Sequence, residues 1–238
     1  MNGSRTNPVF VALDTPDLNK ALAIAKAVKP YVGGLKVGFE FMTALGPDAI
    51  RAIVATGVPV FTDTKFHDIP NTVGGAAREI AKLGAVIFNV HASGGHAMMK
   101  AAADEARAVN PKMKVIAVTV LTSLDDSDLE ATGQRGPAEE QVVRLAKLTK
   151  AATLDGVVCS SKEIGAIRKA CGPDFKLIVP GIRPAGADIG DQKRVMTPTD
   201  AVRAGADILV IGRPITGAAD PAAAAKAIWD DLSAVPAA

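Results

Sequence analysis

Short apolar runs of β type recur along this chain, each separated from the next by a stretch long enough for one helix. Runs of this kind lie near residues 9–13, 34–38, 58–63, 85–90, 114–119, 156–159, 176–179 and 207–211. Between them the chain is alanine-rich, with apolar residues spaced at 3.6. The clearest case is Val73, Ala76, Ala77, Ile80 and Leu83, opened by Pro70 at a favoured first-turn position. Val142, Val143, Leu145, Ala146, Leu148 and Thr149 form another. A weak internal repeat supports the count. Lys82-Leu83-Gly84-Ala85-Val86-Ile87 resembles Arg203-Ala204-Gly205-Ala206-Asp207-Ile208, and Ala55-Thr56-Gly57-Val58 and Leu154-Asp155-Gly156-Val157 are looser copies. Each reads as a helix stopped by a glycine in the left-handed conformation and followed by a buried strand. Alternating strands and helices imply an α/β fold with a parallel, helix-covered sheet. Eight units imply a closed (β/α)8 TIM barrel rather than a doubly wound sheet.

At 238 residues the length suits one such barrel, which typically needs about 250. One domain is therefore expected over residues 1–238, with residues 1–7 as a short polar tail. Hydrophobic residues make up 48% of the chain, enough for a sizeable core. The formal net charge is only +2 and no basic tract or acidic tail is present, which argues against nucleic acid as a partner. The apolar run after the tail is too short for a signal sequence or a membrane span, so no membrane partner and a soluble, cytoplasmic protein are expected. Cys159 and Cys171 form no CxxC and read as two reduced, mostly buried thiols. Two connections, residues 122–136 and 180–197, are longer and richer in glycine and charge than the rest. Both follow strand C-termini, and their composition suits lids over a site.

The chemistry-bearing residues lie where the strands end. Phe61 to Val73 begins as a strand, ends in a proline-initiated helix, and carries Asp63, Lys65, His67 and Asp68 in between. A strand's period of two puts Asp63 and Lys65 on one face. Asp14 and Lys36 close the first two strands, so the barrel mouth should gather an alternating Asp/Lys/Asp/Lys cluster. A structural ion-pair network is the plainer alternative. On the other side, Pro180, Gly181 and Arg183 follow the seventh strand, and Gly212 and Arg213 follow the eighth. That is where such barrels bind phosphate, and Gln192 in the intervening loop is placed to join them. His67, His91 and His96 share no metal-ligand spacing, although Asp63, His91 and Asp68 could meet in space. The preferred reading is a hydrogen-bonded histidine beside a charged cluster, with no metal.

These residues resemble a known family. Asp63-Thr64-Lys65-Phe66-His67-Asp68-Ile69-Pro70-Asn71-Thr72-Val73 is similar to the DxKxxDIPxT signature of orotidine 5′-phosphate decarboxylases. Leu13-Asp14, Leu35-Lys36-Val37-Gly38, Val90-His91, Leu121-Thr122-Ser123, Pro180-Gly181-Ile182-Arg183, Gln192 and Gly212-Arg213-Pro214-Ile215 fall in family order. Thr64 departs from the pattern, where an apolar residue, often Leu, is usual. The resemblance implies cofactor-free decarboxylation of orotidine 5′-phosphate to uridine 5′-phosphate (UMP) and CO2, the last step of de novo pyrimidine synthesis. Lys65 would donate the proton to C6, and Asp63 would sit against the departing carboxylate. Asp14 and Lys36 would hold the ribose hydroxyls, Thr122 would meet the pyrimidine, and Pro180 would line the substrate site. Gln192, Arg183, Gly212 and Arg213 would grip the phosphate. Asp68, Ile69 and Thr72 would complete the other subunit's site in a homodimer. The rival expectations are a Mg²⁺-dependent sugar-phosphate enzyme of the same superfamily, with Glu40 as a weak added ligand, and a non-catalytic phosphate-ligand-binding barrel.

The residue types suit the implied reaction. Loss of CO2 from C6 leaves an in-plane carbanion that the ring's π-system does not delocalise. An ammonium about 4 Å away is worth roughly 1 kcal/mol in water and about 4 at an effective dielectric of 20. One ion pair therefore falls short of the ~8–23 kcal/mol that enzymes typically remove from a barrier. The rest must come from preorganisation and from binding the non-reacting phosphate.

Overall fold

Alternation along each strand sends one set of side chains into the barrel and the other against the helices. The structure, a computed structural model, describes residues 6–134, 136–184 and 196–234. Among these residues the strands are β1 (Val9–Ala12), β2 (Gly34–Val37), β3 (Val60–Phe66), β4 (Ile87–His91), β5 (Lys114–Val118), β6 (Gly156–Val158), β7 (Lys176–Val179) and β8 (Ile208–Ile211). All neighbours pair in parallel in chain order, and β1 meets β8 through Val9–Leu209, Phe10–Val210 and Val11–Ile211. The sheet is thus a closed (β/α)8 barrel, as the eight apolar runs predict. The principal helices are α1 (Leu18–Val28), α2 (Phe39–Val54), α3 (Pro70–Ala81), α4 (Gly95–Val109), α5 (Asp126–Ala131), α6 (Ala138–Ala151), α7 (Ile164–Cys171), α8 (Pro198–Ala204), α9 (Arg213–Thr216) and α10 (Pro221–Ser233). None is long and apolar enough to cross a membrane among the described residues.

Two separate cores follow from the alternation. Outward residues such as Val9, Val11, Leu35, Val37, Phe88 and Val90 merge with the apolar faces of the helices. Inward residues Phe10, Phe61, Ile87, Ile116 and Ile178 form a second cluster that plugs the barrel. Gly34 makes the plug possible, because a Cβ there would lie 2.3 Å from the Phe10 ring. α3 starts at Pro70, as expected, and buries Val73, Ala77 and Ile80; α6 buries Val142, Leu145, Ala146 and Thr149. Cys159 and Cys171 are both free and buried.

The N-terminal rim is tied by two copies of one motif. Asp155 accepts from Arg107 Nη2 at 2.9 Å and from the Val115 N–H at 2.7 Å, while its own N–H donates to the Val115 carbonyl at 2.8 Å. Asp207 does the same with Arg168 at 2.7 Å and with Leu177, whose N–H reaches its carboxylate at 2.9 Å and whose carbonyl takes its N–H at 2.9 Å. Each aspartate precedes a strand, β6 or β8, and locks it to its neighbour.

Several local expectations are corrected. Residue 7 is not mere tail, since Asn7 donates to the Tyr31 carbonyl at 2.7 Å and accepts from the Val9 N–H at 2.9 Å. β3 does not stop at Asp63 but runs through Lys65 to Phe66, with a register shift against β4 between Thr62 and Phe66. The 122–136 connection holds α5, whose start is fixed by a capping box between Asp125 and Asp128. The fourth repeat copy ends its helix differently. Gly57, Gly84 and Gly205 take positive φ as expected, but Gly156 lies inside β6, and Thr153 adopts the left-handed conformation at φ 64°. A β-branched residue there is strained. Gly156 instead answers a close approach, as its Cβ would lie 2.2 Å from the Lys176 carbonyl oxygen.

Thr153→Gly should therefore stabilise the protein by about 1 kcal/mol, the relieved strain outweighing glycine's extra chain entropy. Urea unfolding at neutral pH measures this, and a destabilised variant would show that Thr153 is unstrained.

Candidate active site

At the C-terminal mouth of the barrel the first three strands deliver a continuous line of opposite charges. Lys36, almost fully buried, donates to Asp14 Oδ1 at 3.0 Å and faces Asp63 Oδ2 at 3.5 Å. Lys65 Nζ lies 2.6 Å from Asp63 Oδ1. Two aspartates and two lysines balance, so the group carries no net charge into a partly buried site. Below it lies the apolar plug, with Phe61 two residues before Asp63. Burial alone would raise the Asp63 pKa; the Lys36 and Lys65 ammonium groups, with hydrogen bonds from Lys65 and Asn89, outweigh it and hold the carboxyl below its ordinary value.

The strand that carries Lys65 is not regular. Lys65 sits at φ 45°, inside the β3–β4 register shift. Its ammonium also stands 5.2 Å from the centre of the exposed Phe39 ring. Asn89 on β4, which sequence reasoning did not single out, spans the irregularity. Its Oδ1 accepts the Lys65 N–H at 2.7 Å, and its Nδ2 donates to Asp63 Oδ1 at 2.7 Å. Thr64, the residue out of family pattern, is buried on the outer face and donates its hydroxyl to the Asn89 carbonyl at 2.6 Å. The only signal for Asn89 was a polar residue in the middle of the apolar run Ile87-Phe88-Asn89-Val90.

One cavity of about 540 Å³ collects most of the expected site residues: Asp14, Lys36, Asp63, Lys65, Thr122, Pro180, Gly181, Arg183, Gly212 and Arg213. The charged line occupies one wall. Arg183, largely buried on the turn after β7, and Gly212 and Arg213, at the junction of β8 and α9, line the same cavity from the strands that close the barrel back onto β1. Glu40 lines the same space. Gln192 lies outside the described residues.

Asp68, Ile69 and Thr72 do not join that cavity. Asp68 is exposed and accepts from the Ile69 N–H at 2.6 Å, Thr72 is exposed on α3, and Ile69 leaves 66% of its surface in solvent. Asp68 and Ile69 line a separate shallow recess with His67, Pro70, Ser93 and Gly94. The histidines also differ from expectation. His91 and His67 stack with ring centres 5.7 Å apart, and His96 contacts the Ala151 carbonyl at 3.2 Å. Burial lowers the His91 pKa, and its neighbours His67 and Lys65 push it further down against the opposing pull of Asp63. Among the described residues no three His, Cys, Asp or Glu side chains converge as a metal-binding group.

With this geometry in place, the comparison with known proteins is direct. The model of the orotidine 5′-phosphate decarboxylase / HUMPS family matches residues 7–228. The chain belongs to this family. An orotidine 5′-phosphate decarboxylase from Moorella thermoacetica is 55% identical over 233 residues, covering 95% of this chain and 92% of its own. One from Anaeromyxobacter sp. (strain K) is 56% identical over 220 residues, covering 92% and 96%. The crystal structure of orotidine 5′-phosphate decarboxylase from Lactobacillus acidophilus matches with a TM-score of 0.86 at 40% identity, covering 96% of this chain and 100% of that one.

Because the folded Asp63 pKa is depressed, its stabilising contribution is complete above the unfolded value of about 3.9 and is lost as pH falls through the lower folded value. Asp63→Asn should be much less stable than wild type at pH 7, with the gap narrowing below about pH 4. Urea unfolding across that range measures it; a gap independent of pH would contradict a depressed Asp63.

Proposed function

We propose that this chain catalyses the cofactor-independent decarboxylation of orotidine 5′-phosphate to UMP and CO2, closing de novo pyrimidine nucleotide synthesis in the cytoplasm. The observation that carries the reading is the Asp14–Lys36–Asp63–Lys65 line sharing one cavity with Arg183, Gly212 and Arg213. Family membership and relatives more than half identical, themselves named orotidine 5′-phosphate decarboxylases, support the same substrate. A nucleotide monophosphate has an anionic end, a polar sugar and a flat base. The cavity offers cationic and glycine backbone groups together with an ordered ion-pair line.

In this reading Arg183, Arg213 and the Gly212 backbone hold the phosphate, joined by Gln192. Asp14 and Lys36 meet the ribose hydroxyls, and Thr122 and Pro180 meet the base. C6 then lies against Lys65, with the scissile carboxylate beside Asp63. As the C6–CO2 bond breaks, its electron pair stays on C6, and the Lys65 ammonium opposes the growing charge before transferring its proton there. The apolar plug beneath keeps the local dielectric low, which raises the worth of that interaction. Lys36 bridges Asp14 and Asp63, so in this reading an ammonium neutralises those carboxylates. Activity that survives EDTA separates this reading from a Mg²⁺-dependent one.

A second subunit completes the site in this proposal. Asp68, Ile69 and Thr72 are exposed and outside their own chain's cavity, as residues serving a neighbour's site would be. An Ile side chain left two-thirds in solvent gains free energy when covered.

Lys65→Ala should abolish the loss of orotidylate absorbance while UMP still binds within a few-fold of wild type. Wild-type protein that leaves orotidylate unchanged would sink the enzyme reading. Mixing inactive Lys65→Ala and Asp68→Ala dimers should restore about a quarter of the sites after subunit exchange. No recovery, with exchange verified by mass, would place Asp68 in its own subunit's site or in none.

A further inference from the structure

Resting on the proposed decarboxylase reading, we infer that Asn89 is a positioning residue for the reaction: its side-chain amide fixes the Asp63–Lys65 pair by holding the Lys65 backbone and the Asp63 carboxylate at once. The amide does two jobs at once. Where β3 slips register against β4, the Lys65 N–H loses its ordinary ladder partner, and Asn89 Oδ1 takes it at 2.7 Å. An amide oxygen committed to an N–H leaves its NH2 turned the other way, so the orientation is fixed by the donor it meets. That NH2 meets Asp63 Oδ1 at 2.7 Å, on the same oxygen that Lys65 Nζ approaches at 2.6 Å.

Asn89 thus closes a small ring from the Lys65 backbone through its own amide to the Asp63 carboxylate and back to the Lys65 ammonium. The ring sits where Lys65 adopts φ 45°, a positive φ that is uncommon and unfavourable for a lysine. Asn89 has no exposed surface, and its own carbonyl is anchored by the Thr64 hydroxyl, so the amide has little freedom to rotate. Among the standard side chains only Asn has this reach with an acceptor and a donor side by side. Asp keeps the acceptor but sets a second carboxylate against Asp63, Leu keeps the shape and loses both bonds, and Gln is one methylene too long.

Asp63 is faced by Lys36 from β2, with Asp14 beyond it, by Lys65 from its own strand, and by Asn89 and the more distant His91 from β4. Of these groups, Asn89 is the uncharged one that donates a hydrogen bond to Asp63. Removing it takes one hydrogen bond from the ionised carboxylate and raises its pKa. The acid limb of the kcat profile then moves to higher pH, further for Asn89→Asp than for Asn89→Ala.

The experiment measures kcat, KM and their pH dependence for both variants, with binding-competent sites counted by UMP titration. The expected result is a kcat about 10- to 100-fold lower per site, with KM changed far less and the acid limb shifted upward. A residue that merely supports the fold would lower stability and the number of sites while leaving kcat per site and the acid limb unchanged, and that result overturns the inference. Should neither variant fold, the wild-type protein decides: the Asn89 side-chain ¹⁵N resonance must follow the Asp63 titration, and a resonance that ignores it overturns the inference. The NMR arm does not depend on turnover, so an inactive wild type would sink the decarboxylase reading without being mistaken for failure of the Asn89 contact.

Discussion

The Asp63 carboxylate is the point on which the rest of the mouth depends. A carboxylate set above an apolar plug is tolerated only if both oxygens are answered, since an unpaired buried charge costs several kcal/mol. Here Oδ1 receives Lys65 and Asn89, and Oδ2 faces Lys36, which itself leans on Asp14. Those partners come from β1 through β4 or the residues just past them. The ion-pair line therefore fixes the relative register of half the barrel, and the barrel in turn keeps four charges within reach of one another.

The opposite rim carries no such chemistry, and its charges are used differently. Asp155 with Arg107 and Asp207 with Arg168 each spend their hydrogen bonds on backbone groups of neighbouring strands and helix ends. Arg168 alone reaches the carbonyls of Gly172, Pro173, Phe175 and Gly205. Charges there close strands, while those at the mouth remain turned toward a cavity. This division between a stabilising face and a reactive face is what lets the mouth retain a left-handed lysine and a register slip.

Most of the scaffold was legible because hydrophobic alternation and helix periodicity depend on local residues alone. Val73, Ala77 and Ile80 mark α3 whatever lies around them. The aspartates and lysines at strand ends were legible for the same reason, since strand ends of a barrel converge. What stayed hidden depends on pairing between distant strands. The register shift at Lys65 has no marker such as glycine, and the regular period of two brings Asp63 and Lys65 together on paper by a route the chain does not take. Asn89 matters only because that shift strands an N–H, so it could not be weighted before the shift was known. Thr64 shows the same limit: in the sequence it is only a departure from the apolar residue usual there, and the structure makes it a hydroxyl that anchors the Asn89 carbonyl. Thr153 misled in the other direction, because a search for helix-ending glycines passes over a threonine that accepts the same strain.

Charge counting connects this architecture to the proposed reaction. The resting line is neutral, two carboxylates against two ammonium groups, so it can stay assembled in a closed site without counterions. A substrate carboxylate arriving beside Asp63 adds a negative charge that the line does not balance, and the phosphate contacts must supply the free energy that holds it there. Departure of neutral CO2 moves that charge to C6, next to Lys65, where an ammonium faces it. Proton transfer then leaves Lys65 neutral, and the line regains balance only when solvent returns a proton. The proposed reaction assigns the proton transfer to Lys65 rather than Lys36 on grounds of access. Lys36 is held between two carboxylates and almost fully buried, whereas Lys65 is anchored to Asp63 at one side and open to the cavity at the other.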